Sequence, residues 1–483
     1  MRLTIAYEIR GNLLLITKYP LHLFYKLRDV FTYKKIGYDR ETSRRTITPE
    51  TVASGYDEGG NILDLYGDKV PKTIITFRGY EDALVKWAVS QKLEVDRTET
   101  KLTDDKVFVP VWDEVPDSFE FRYMQKETLE LMGRSPGGLI LCSVGWGKSE
   151  VLGLSPVVFP KARILISSYR AQVYSTIGER IRKYVLPGTK YFIQGGKVAM
   201  TDRRIKEARV VVCGNKTLPR VLGYSDKWDI FCCDEVHLAA ADDTFNVMST
   251  ITRPKMFGFT GSPNRSDGAQ FRLHGLFGPT LMEVDMRKAK EKGMVVPIKV
   301  LWCPVKLQYD PIAKCHSAYK KHKGIWFNVI RNKLIAGAAN SYDEDTQVLI
   351  IVETIKHAMA LRSLLPNYLV VSSETENLDR ARGAFKKGTL KRVIATGVWR
   401  EGVDFPDLGV LINATGVKSE IANIQLTGRV TRLGEQKEYG VVHDFYDHWN
   451  PQFASFSAER KKIYEKQGFE QTDIQPTELL KNI

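Results

Sequence analysis

Short runs of wholly apolar residues, each followed by polar residues or a helical pattern, constrain this chain more than any other feature. An uninterrupted apolar run of this length predicts a parallel strand buried on both faces, since a half-exposed strand would alternate with polar residues. Five such runs lie at 138–143, 163–168, 209–213, 230–233 and 256–260. Five more lie at 348–352, 369–372, 393–396, 410–414 and 440–443. The sequence therefore predicts the α/β class, with two successive parallel-sheet domains.

The amino-terminal region has a different pattern. Strand-like runs at 3–7, 13–17 and 73–77 and amphipathic helical patterns at 22–31 and 80–91 predict a small α+β domain. The charged stretch from 94 to 105 is typical of a solvated connection. The expected domains are an accessory domain at 1–112, α/β domains at 113–295 and 296–457, and a tail at 458–483. The tail either packs back or stays mobile.

Charge indicates a polyanionic partner. The net charge is +14, and the basic excess is concentrated at residues 1–45, with ten Lys/Arg against four Asp/Glu, and 285–335, with twelve against three. Both segments are candidates for a phosphate-backbone footprint, and a generally basic solvated surface is the alternative.

Membrane insertion and secretion are not expected. No run of about 18 apolar residues occurs, and Glu8 and Arg10 interrupt the first apolar stretch. The six cysteines lie mostly in strand-like runs without CxxC spacing, which favours neither a zinc site nor a disulfide framework. We expect a cytoplasmic protein.

A phosphate-binding loop is predicted at 142–149, directly after a strand and before a helix. Backbone N–H groups of such a loop point at phosphates, a lysine neutralises the β/γ oxygens, and a serine hydroxyl binds Mg²⁺. Cys142 stands where Gly or Ala usually begins the pattern, and bulky Trp146 precedes its last glycine, but neither removes these groups. The candidate ATP contacts are Gly145, Trp146, Gly147, Lys148 and Ser149, with Ser149 also a metal ligand.

An acidic pair, Asp234 and Glu235, follows the apolar run at 230–233. At the carboxyl end of a neighbouring parallel strand, the first carboxylate can hold Mg²⁺ and the second can activate the water that attacks the γ-phosphate. A solvated turn is the alternative for an isolated acidic pair. The position after a buried strand favours the catalytic interpretation, with Lys148 and Glu235 as catalytic residues.

A third motif has the pattern QxxGRxxR. Its specified residues are Gln425, Gly428, Arg429 and Arg432. Two arginines three positions apart share one helix face and can reach the γ-phosphate of a nucleotide held by the opposite domain. An exposed basic helix face would leave Gln425 and Gly428 unexplained, so Gln425, Arg429 and Arg432 are catalytic candidates.

These three motifs, in this order, resemble helicase superfamily 2. The resemblance implies two tandem RecA-like domains that use ATP and Mg²⁺ to move along nucleic acid. It places Arg122, Gln125, Gly402 and Asp404 at the nucleotide. It assigns the coupling between hydrolysis and motion to His237, Thr260 and Ser262. The hydroxyls of Thr260 and Ser262 would exchange partners with His237 as the cleft closes. It also places six residues at the nucleic acid, namely Ser168, Arg170, Thr217, Thr396, Trp399 and Arg400. Trp399 and Arg400 equally suit a half-buried helix start.

Arg265, Asp267 and Gly268 continue the coupling motif in the style of the XPB and type III restriction branch. The overall layout resembles bacteriophage recombination helicases of the UvsW type. This resemblance implies a monomeric motor that unwinds or branch-migrates forked and Holliday-type DNA in replication, recombination or repair, in a host cytoplasm. The alternatives are a duplex translocase or restriction-complex motor without strand separation, an RNA helicase, and an ATP-gated scaffold.

Overall fold

The chain divides into two compact units, residues 1–142 with 147–283, and residues 143–146 with 284–483. No helix in the described ranges is both long and apolar enough to cross a membrane. The computed structural model describes residues 3–38, 45–63, 69–100, 107–169, 171–184, 190–193, 202–225, 227–261, 267–316, 319–399, 405, 407–417, 426–428, 430–431 and 437–482.

An α+β region opens the first unit, as predicted. Its five-stranded sheet has the order β5-β6-β2-β1-β7, and β3 and β4 pair as a separate antiparallel hairpin. The strands are β1 (Thr4–Arg10), β2 (Leu13–Lys18), β3 (Thr32–Tyr38), β4 (Arg45–Thr51), β5 (Ser54–Leu63), β6 (Lys69–Phe77) and β7 (Glu94–Thr100). The helices are α1 (Phe24–Val30) and α2 (Glu81–Ser90).

Strand β7 corrects the prediction of a solvated connection from 94 to 105. Residues 94–100 pair in parallel with β1, from Thr4 opposite Glu94 to Arg10 opposite Thr100. Nearly every side chain of β7 is exposed because the strand lies at the edge of its sheet. Charged residues at an edge discourage pairing with other chains. A strand of this kind has no apolar pattern by which to predict it.

A parallel sheet follows in the first unit, and its order, β10-β11-β9-β12-β13-β8-β14, is doubly wound. Each of the five predicted runs is a strand, within one residue at either end. The strands are β8 (Gly137–Cys142), β9 (Ile164–Ser168), β10 (Tyr191–Ile193), β11 (Val210–Gly214), β12 (Ile230–Asp234), β13 (Lys255–Thr260) and β14 (Thr280–Val284). The helices are α3 (Gln125–Arg134), α4 (Lys148–Val158), α5 (Ala171–Tyr184), α6 (Asp202–Glu207), α7 (Leu218–Tyr224), α8 (Asp242–Ser249), α9 (Gln270–Phe277) and α10 (Met286–Glu291).

One continuous hydrophobic core joins the α+β region to this parallel sheet. Helix α9 is the main contact. The ring of Tyr80 stacks on Phe271 with centroids 4.7 Å apart, and its hydroxyl donates to the Phe271 carbonyl at 2.9 Å. The Cβ that a substitution would add at Gly275 lies 2.6 Å from the Tyr80 ring. Deleting residues 1–112 would therefore expose core surface, so the region's function has to be tested by point substitutions.

Arg272, on the same helix, ties the β3–β4 hairpin to the segment that follows the acidic pair. Its guanidinium donates to the Ala240 carbonyl at 3.0 Å, to Asp242 at 2.6 Å, and to Glu50 of the hairpin. Its side chain is only 9% exposed, so these partners compensate the loss of solvent.

The second unit contains another parallel sheet, with strand order β17-β18-β16-β19-β20-β15-β21. Its five predicted strands are all present. The strands are β15 (Ile298–Val305), β16 (Val348–Ile351), β17 (Leu369–Val371), β18 (Arg392–Ala395), β19 (Val410–Asn413), β20 (Gly440–Asp447) and β21 (Glu470–Asp473). The helices are α11 (Val329–Asn340), α12 (Ile355–Arg362), α13 (Leu378–Lys386), α14 (Pro451–Lys466) and α15 (Pro476–Leu480).

The carboxyl-terminal segment packs back, which decides between the two alternatives for the tail. Helix α14 runs through the predicted boundary at 457, and β21 adds to the sheet beside β15. Arg460, fully buried on α14, donates to Asp444 of β20 at 2.9 Å. A charged tail can pack back in this way because a buried guanidinium is stable where a carboxylate receives it.

Two buried histidines predict acid sensitivity of the second unit. Burial lowers the pKa of His357 to about 3, aided by Arg331, and that of His443 to about 4. Both values lie below the ordinary 6.5, so below that pH the unfolded chain binds more protons than the folded one. The urea concentration at the midpoint of unfolding should decrease as the pH is lowered from 7.5 to 5.5. The variant His357→Gln/His443→Gln should lose less over this interval, and an equal loss would contradict the assignment.

Candidate active site

The carboxyl edge of the first parallel sheet gathers the predicted nucleotide residues. Strands β12, β13 and β8 are neighbours, with Asp234 opposite Phe259 and Thr260 opposite Leu141. Because parallel strands end at the same edge, the acidic pair, Thr260 and the start of the phosphate loop are adjacent. Ligands of doubly wound sheets bind at this kind of edge.

The phosphate loop has the backbone that its glycines predict. Gly145 has φ +94° and Gly147 has φ +103°, values that L side chains rarely adopt. Lys148 is the first residue of α4, so the loop ends at a helix amino terminus, where free N–H groups favour anions. Trp146 is fully buried, which explains how its bulk fits beside a phosphate site.

Gln125, the predicted adenine contact, lies against this loop. It is 1% exposed, and a Cβ on Gly147 would lie 2.6 Å from its Nε2 atom. Its Oε1 accepts the backbone N–H of Arg122 at 3.0 Å, and the intervening Met124 has φ +65°. The structure therefore brings Gln125 to the loop, and the backbone N–H of Arg122 holds the side-chain oxygen of Gln125.

A buried charge cluster forms the centre of the site. The Lys148 ammonium donates to Glu235 Oε1 at 2.9 Å and lies 4.0 Å from Asp234 Oδ1. Burial disfavours this ammonium, but the carboxylates of Glu235 and Asp234 outweigh burial and raise the pKa of Lys148 above its ordinary value. Burial raises the pKa of Asp234 to about 6, against the opposing effect of Lys148. The lysine is thus cationic, between two acidic side chains.

Glu235 has a strained backbone, with φ +50° and ψ +46°. Non-glycine residues held in this region cost free energy and cluster at functional sites. The conformation lets Glu235 face Lys148 directly after the strand ends, while its N–H donates to Asp234 Oδ1 at 2.8 Å. The 3-10 helix Val236–Ala240 follows at once.

His237 and Thr260, two of the predicted coupling residues, are in contact. Nδ1 of His237 lies 3.0 Å from Thr260 Oγ1 and 3.4 Å from Glu235 Oε2, and both residues are buried. The histidine thus connects the acidic pair on β12 to the end of β13. Ser262, the third coupling residue, and Arg265 lie outside the described residues.

The donors near Lys148 suit Mg²⁺. Asp234 and the Ser149 hydroxyl offer oxygen, the ligand type that Mg²⁺ prefers, and Mg²⁺ usually takes only one or two protein carboxylates together with phosphates and water. Within the described residues, no group of three or more His, Cys, Asp or Glu side chains could hold a metal by itself. The raised pKa of Asp234 marks a carboxylate that a cation would stabilise.

The predicted arginine motif is only partly described. Gln425, Arg429, Arg432, Gly402 and Asp404 lie outside the described residues. Gly428 is described, and in the second unit, which includes residues 143–146, a Cβ on Gly428 would lie 2.6 Å from Val144. Close packing therefore accounts for this glycine, while the catalytic roles in the motif remain predictions.

The predicted nucleic-acid contacts need correction. Trp399 is fully buried against Phe385 and Phe405, with ring centroids 5.3 and 5.0 Å away, so it is a core residue and cannot stack on a base. Ser168 is also fully buried, since β9 lies between β11 and β12.

Thr396 is 7% exposed at the end of β18. Thr217 donates its hydroxyl to the Gly214 carbonyl at 2.8 Å, and Arg170 and Arg400 lie outside the described residues.

Comparison with known proteins shows what this chain is similar to. Residues 329–434 match the helicase conserved C-terminal domain. The ATP-dependent DNA helicase uvsW of Enterobacteria phage T4 is 26% identical over 286 residues, covering 56% of this chain and 56% of that protein. The DNA 3'-5' translocase XPB2 of Sulfurisphaera tokodaii is 23% identical over 367 residues, covering 67% and 81%.

Among solved structures, Dbp5 of Saccharomyces cerevisiae bound to RNA and ADP BeF3 is similar, with a TM-score of 0.52 at 16% identity over 74% of this chain and 93% of that one. At this identity the likeness shows the fold, and it confirms the α/β class with tandem RecA-like domains. The sequence matches confirm the resemblance to superfamily 2 helicases. This chain spans about half the length of the phage T4 relative.

The substitution Gly147→Ala should damage the site, whereas the same substitution at a glycine inside a helix should not. A side chain at φ +103° is strained and would meet Gln125, so the unfolding free energy of the first unit should fall by about 1–2 kcal/mol, with weaker binding of a fluorescent ATP analogue. Gly223→Ala, in α7 with no neighbour within 4 Å, should instead stabilise by about 0.5–1 kcal/mol. Equal changes in both variants would contradict the assignment of the loop.

Proposed function

We propose that this chain is an ATP-dependent DNA helicase or translocase that remodels forked and Holliday-type DNA. The observation that carries the proposal is the Lys148 ammonium held between Glu235 and Asp234 at the carboxyl edge of the sheet. A half-buried lysine at a helix amino terminus, beside two carboxylates, suits phosphoanhydride hydrolysis. The family matches agree with an ATP-dependent helicase enzyme.

The charge cluster supports a division of labour in hydrolysis. When a triphosphate enters, its oxygens compete for the Lys148 ammonium, which releases Glu235 from the ion pair. The freed carboxylate accepts a proton from the water that attacks the γ-phosphorus. The bond from that phosphorus to the β,γ-bridging oxygen breaks, and ADP and phosphate leave. Gly145, Trp146 and Gly147 position the phosphates, while Arg122 and Gln125 face the adenine.

Ser149 and Asp234 are the residues that would hold Mg²⁺. When bound, this ion supplies positive charge that offsets the charge on the phosphate oxygens. Gln425, Arg429 and Arg432 are proposed to complete the site as arginine fingers and their partner, with Gly402 and Asp404 beside the nucleotide. These roles rest on the sequence motifs.

Coupling to movement is assigned to the His237–Thr260 contact. His237 touches both Glu235 and Thr260, so a change in the hydrogen bonds of Glu235 during hydrolysis reaches the end of β13. Ser262, two residues further on, is proposed to take part. The physical element is a hydrogen bond with two alternative partners, which can bias two conformations.

DNA is proposed as the partner, with a monomer acting in the cytoplasm. The basic excess in residues 1–45 supports contact with a phosphate backbone. Lys18, Lys26 and Lys34 are exposed on the α+β region. The phage T4 relative is named a DNA helicase, and XPB2 a DNA translocase. The proposed limits of the first two domains remain 1–112 and 113–295, and the third runs from 296 to 483, because α14 crosses residue 457 and β21 belongs to the second sheet.

A translocase that moves on duplex without separating strands is the second candidate, favoured by the match to XPB2 over 67% of this chain. An RNA helicase is less favoured because the second motif reads Asp-Glu-Val-His rather than the DEAD form. An ATP-gated scaffold would need Lys148 to bind ATP but would not need Glu235 beside it as a general base.

Lys148→Ala and Glu235→Gln should both abolish DNA-stimulated ATP hydrolysis, by different routes. The first variant loses phosphate binding and should bind a fluorescent ATP analogue weakly. The second should bind ATP but lose turnover by about 10²–10⁴-fold, the usual contribution of a general base. Glu130→Gln, an exposed carboxylate on α3, is the matched control. Near wild-type turnover in either site variant would refute the site.

A strand-separation assay should distinguish the candidate activities. Forks and four-way junctions should be resolved faster than tailed linear duplexes or RNA duplexes. Lys18→Ala/Lys26→Ala/Lys34→Ala should reduce this preference and leave hydrolysis without DNA intact, since these residues lie outside the ATP site. Displacement of a third strand from a triplex, without separation of duplex strands, would support the duplex translocase. An equal loss of strand separation on all substrates in the triple lysine variant would contradict a role of the α+β region in selecting branched DNA.

A further inference from the structure

A row of aromatic rings lies on the second unit between β15 and α11. We call it the aromatic strip, and its members are Tyr319, His322, Trp326 and Phe327. Ring centroids are 6.5 Å apart for Tyr319 and His322, 6.1 Å for His322 and Trp326, and 4.5 Å for His322 and Phe327. Tyr319 is 61% exposed and Phe327 is 42% exposed. A cluster of neighbouring exposed rings is more informative than a single exposed side chain, since contiguous apolar surface marks interaction sites.

Positive charge accompanies the strip. Lys320, Lys321 and Lys323 lie among the rings, and no Asp or Glu occurs from residue 311 to 342. Lys321 donates to Glu353 at 2.7 Å, which fixes it to the body of the unit. Lys323 is exposed and Lys320 half-buried. The surface therefore offers flat apolar faces and cations together.

The strip rests on a rigid base. Residues His322–Trp326 form a π-helical turn, a rare element often found at functional sites. Ile325 inside this turn is fully buried and packs in a small core with Ile312 and Phe453. A Cβ on Gly324 would lie 2.5 Å from the Trp449 ring. The inner side is thus anchored while the outer rings face water.

The anchors place the strip at the carboxyl edge of the second parallel sheet. Glu353, the partner of Lys321, follows β16 by two residues. Ile325 packs against the position of Gly416, which follows β19 by three residues. Thr396 directly follows β18, the neighbour of β16. The strip therefore occupies the edge where loops from adjacent strands meet.

We propose that the aromatic strip is a stacking platform for single-stranded nucleic acid. Unpaired bases present flat π faces that fit Tyr319 and Phe327, and Lys320 and Lys323 meet the phosphates between them. Paired bases inside a duplex cannot offer those faces, so the platform selects separated strands. The inference rests on the proposed function, and it specifies where the motor holds the strand that it separates.

Fluorescence anisotropy of the full chain with labelled dT20 tests the proposal, with rU20 and a blunt duplex as further arms. Tyr319→Ala and Phe327→Ala should each weaken dT20 binding about tenfold, the effect of losing one base–aromatic stack, and leave duplex binding within twofold. Tyr319→Phe should retain wild-type affinity.

Lys320→Ala/Lys323→Ala should reduce the slope of log affinity against log salt by about 1.4. Equal effects on dT20 and rU20 would assign the platform to bases of either nucleic acid.

Tyr439→Ala is the matched control, because Tyr439 is also exposed beside a lysine, Lys299, but at the amino end of the same sheet. It should leave dT20 binding unchanged. Thermal melting and ATP hydrolysis without DNA should be the same for all variants. If Tyr319→Ala binds dT20 like wild type, the strip serves another partner and the proposal is overturned. If wild type binds dT20 but hydrolyses no ATP, the proposed function fails while the platform stands.

Discussion

The parallel alignment of β8, β13 and β12 is the constraint on which the site in the first unit depends. Because neighbouring parallel strands end together, their last residues bring the phosphate loop, Thr260 and Asp234 to one edge without any long-range coincidence. Two local features then finish the arrangement. Positive φ at Gly145 and Gly147 opens the loop toward the helix amino terminus, and the left-handed backbone of Glu235 directs its carboxylate at Lys148.

Buried charge gives this edge its chemistry. The pKa shifts of Lys148 and Asp234 have opposite physical origins, attraction by carboxylates in one case and loss of solvent in the other. Lys148 can therefore bind an incoming anion, and Asp234 can bind an incoming cation. A second charge network, centred on Arg272, fixes the β3–β4 hairpin to the segment after the acidic pair. The α+β region is therefore a structural part of the first unit, whatever its role in choosing DNA.

The sequence was informative where burial left an apolar pattern. All ten apolar runs are strands, and the residues that follow them, such as Lys148 and Asp234, lie where the motifs predict. Burial itself was harder to predict. For Trp399 the sequence leaves a nucleic-acid contact and a half-buried helix start equally open, and the structure shows a core residue. Ser168, predicted at the nucleic acid, is fully buried, and so is Arg460 on the charged tail, where it pairs with Asp444. Strand β7 carries no apolar pattern because it is an exposed edge. The aromatic strip did leave a signal, aromatic residues alternating with lysines, within a segment recognised only for its charge.

Under the proposed function, the phosphate loop and acidic pair of the first unit would convert energy, and the aromatic strip of the second unit would hold the nucleic acid. Hydrolysis that depends on nucleic acid is the central claim. Its most direct test is phosphate release from Mg·ATP by the wild-type chain, with and without forked DNA. We expect a slow basal rate that rises severalfold with DNA and disappears when EDTA removes Mg²⁺. No hydrolysis, or an identical rate with and without DNA, would contradict it.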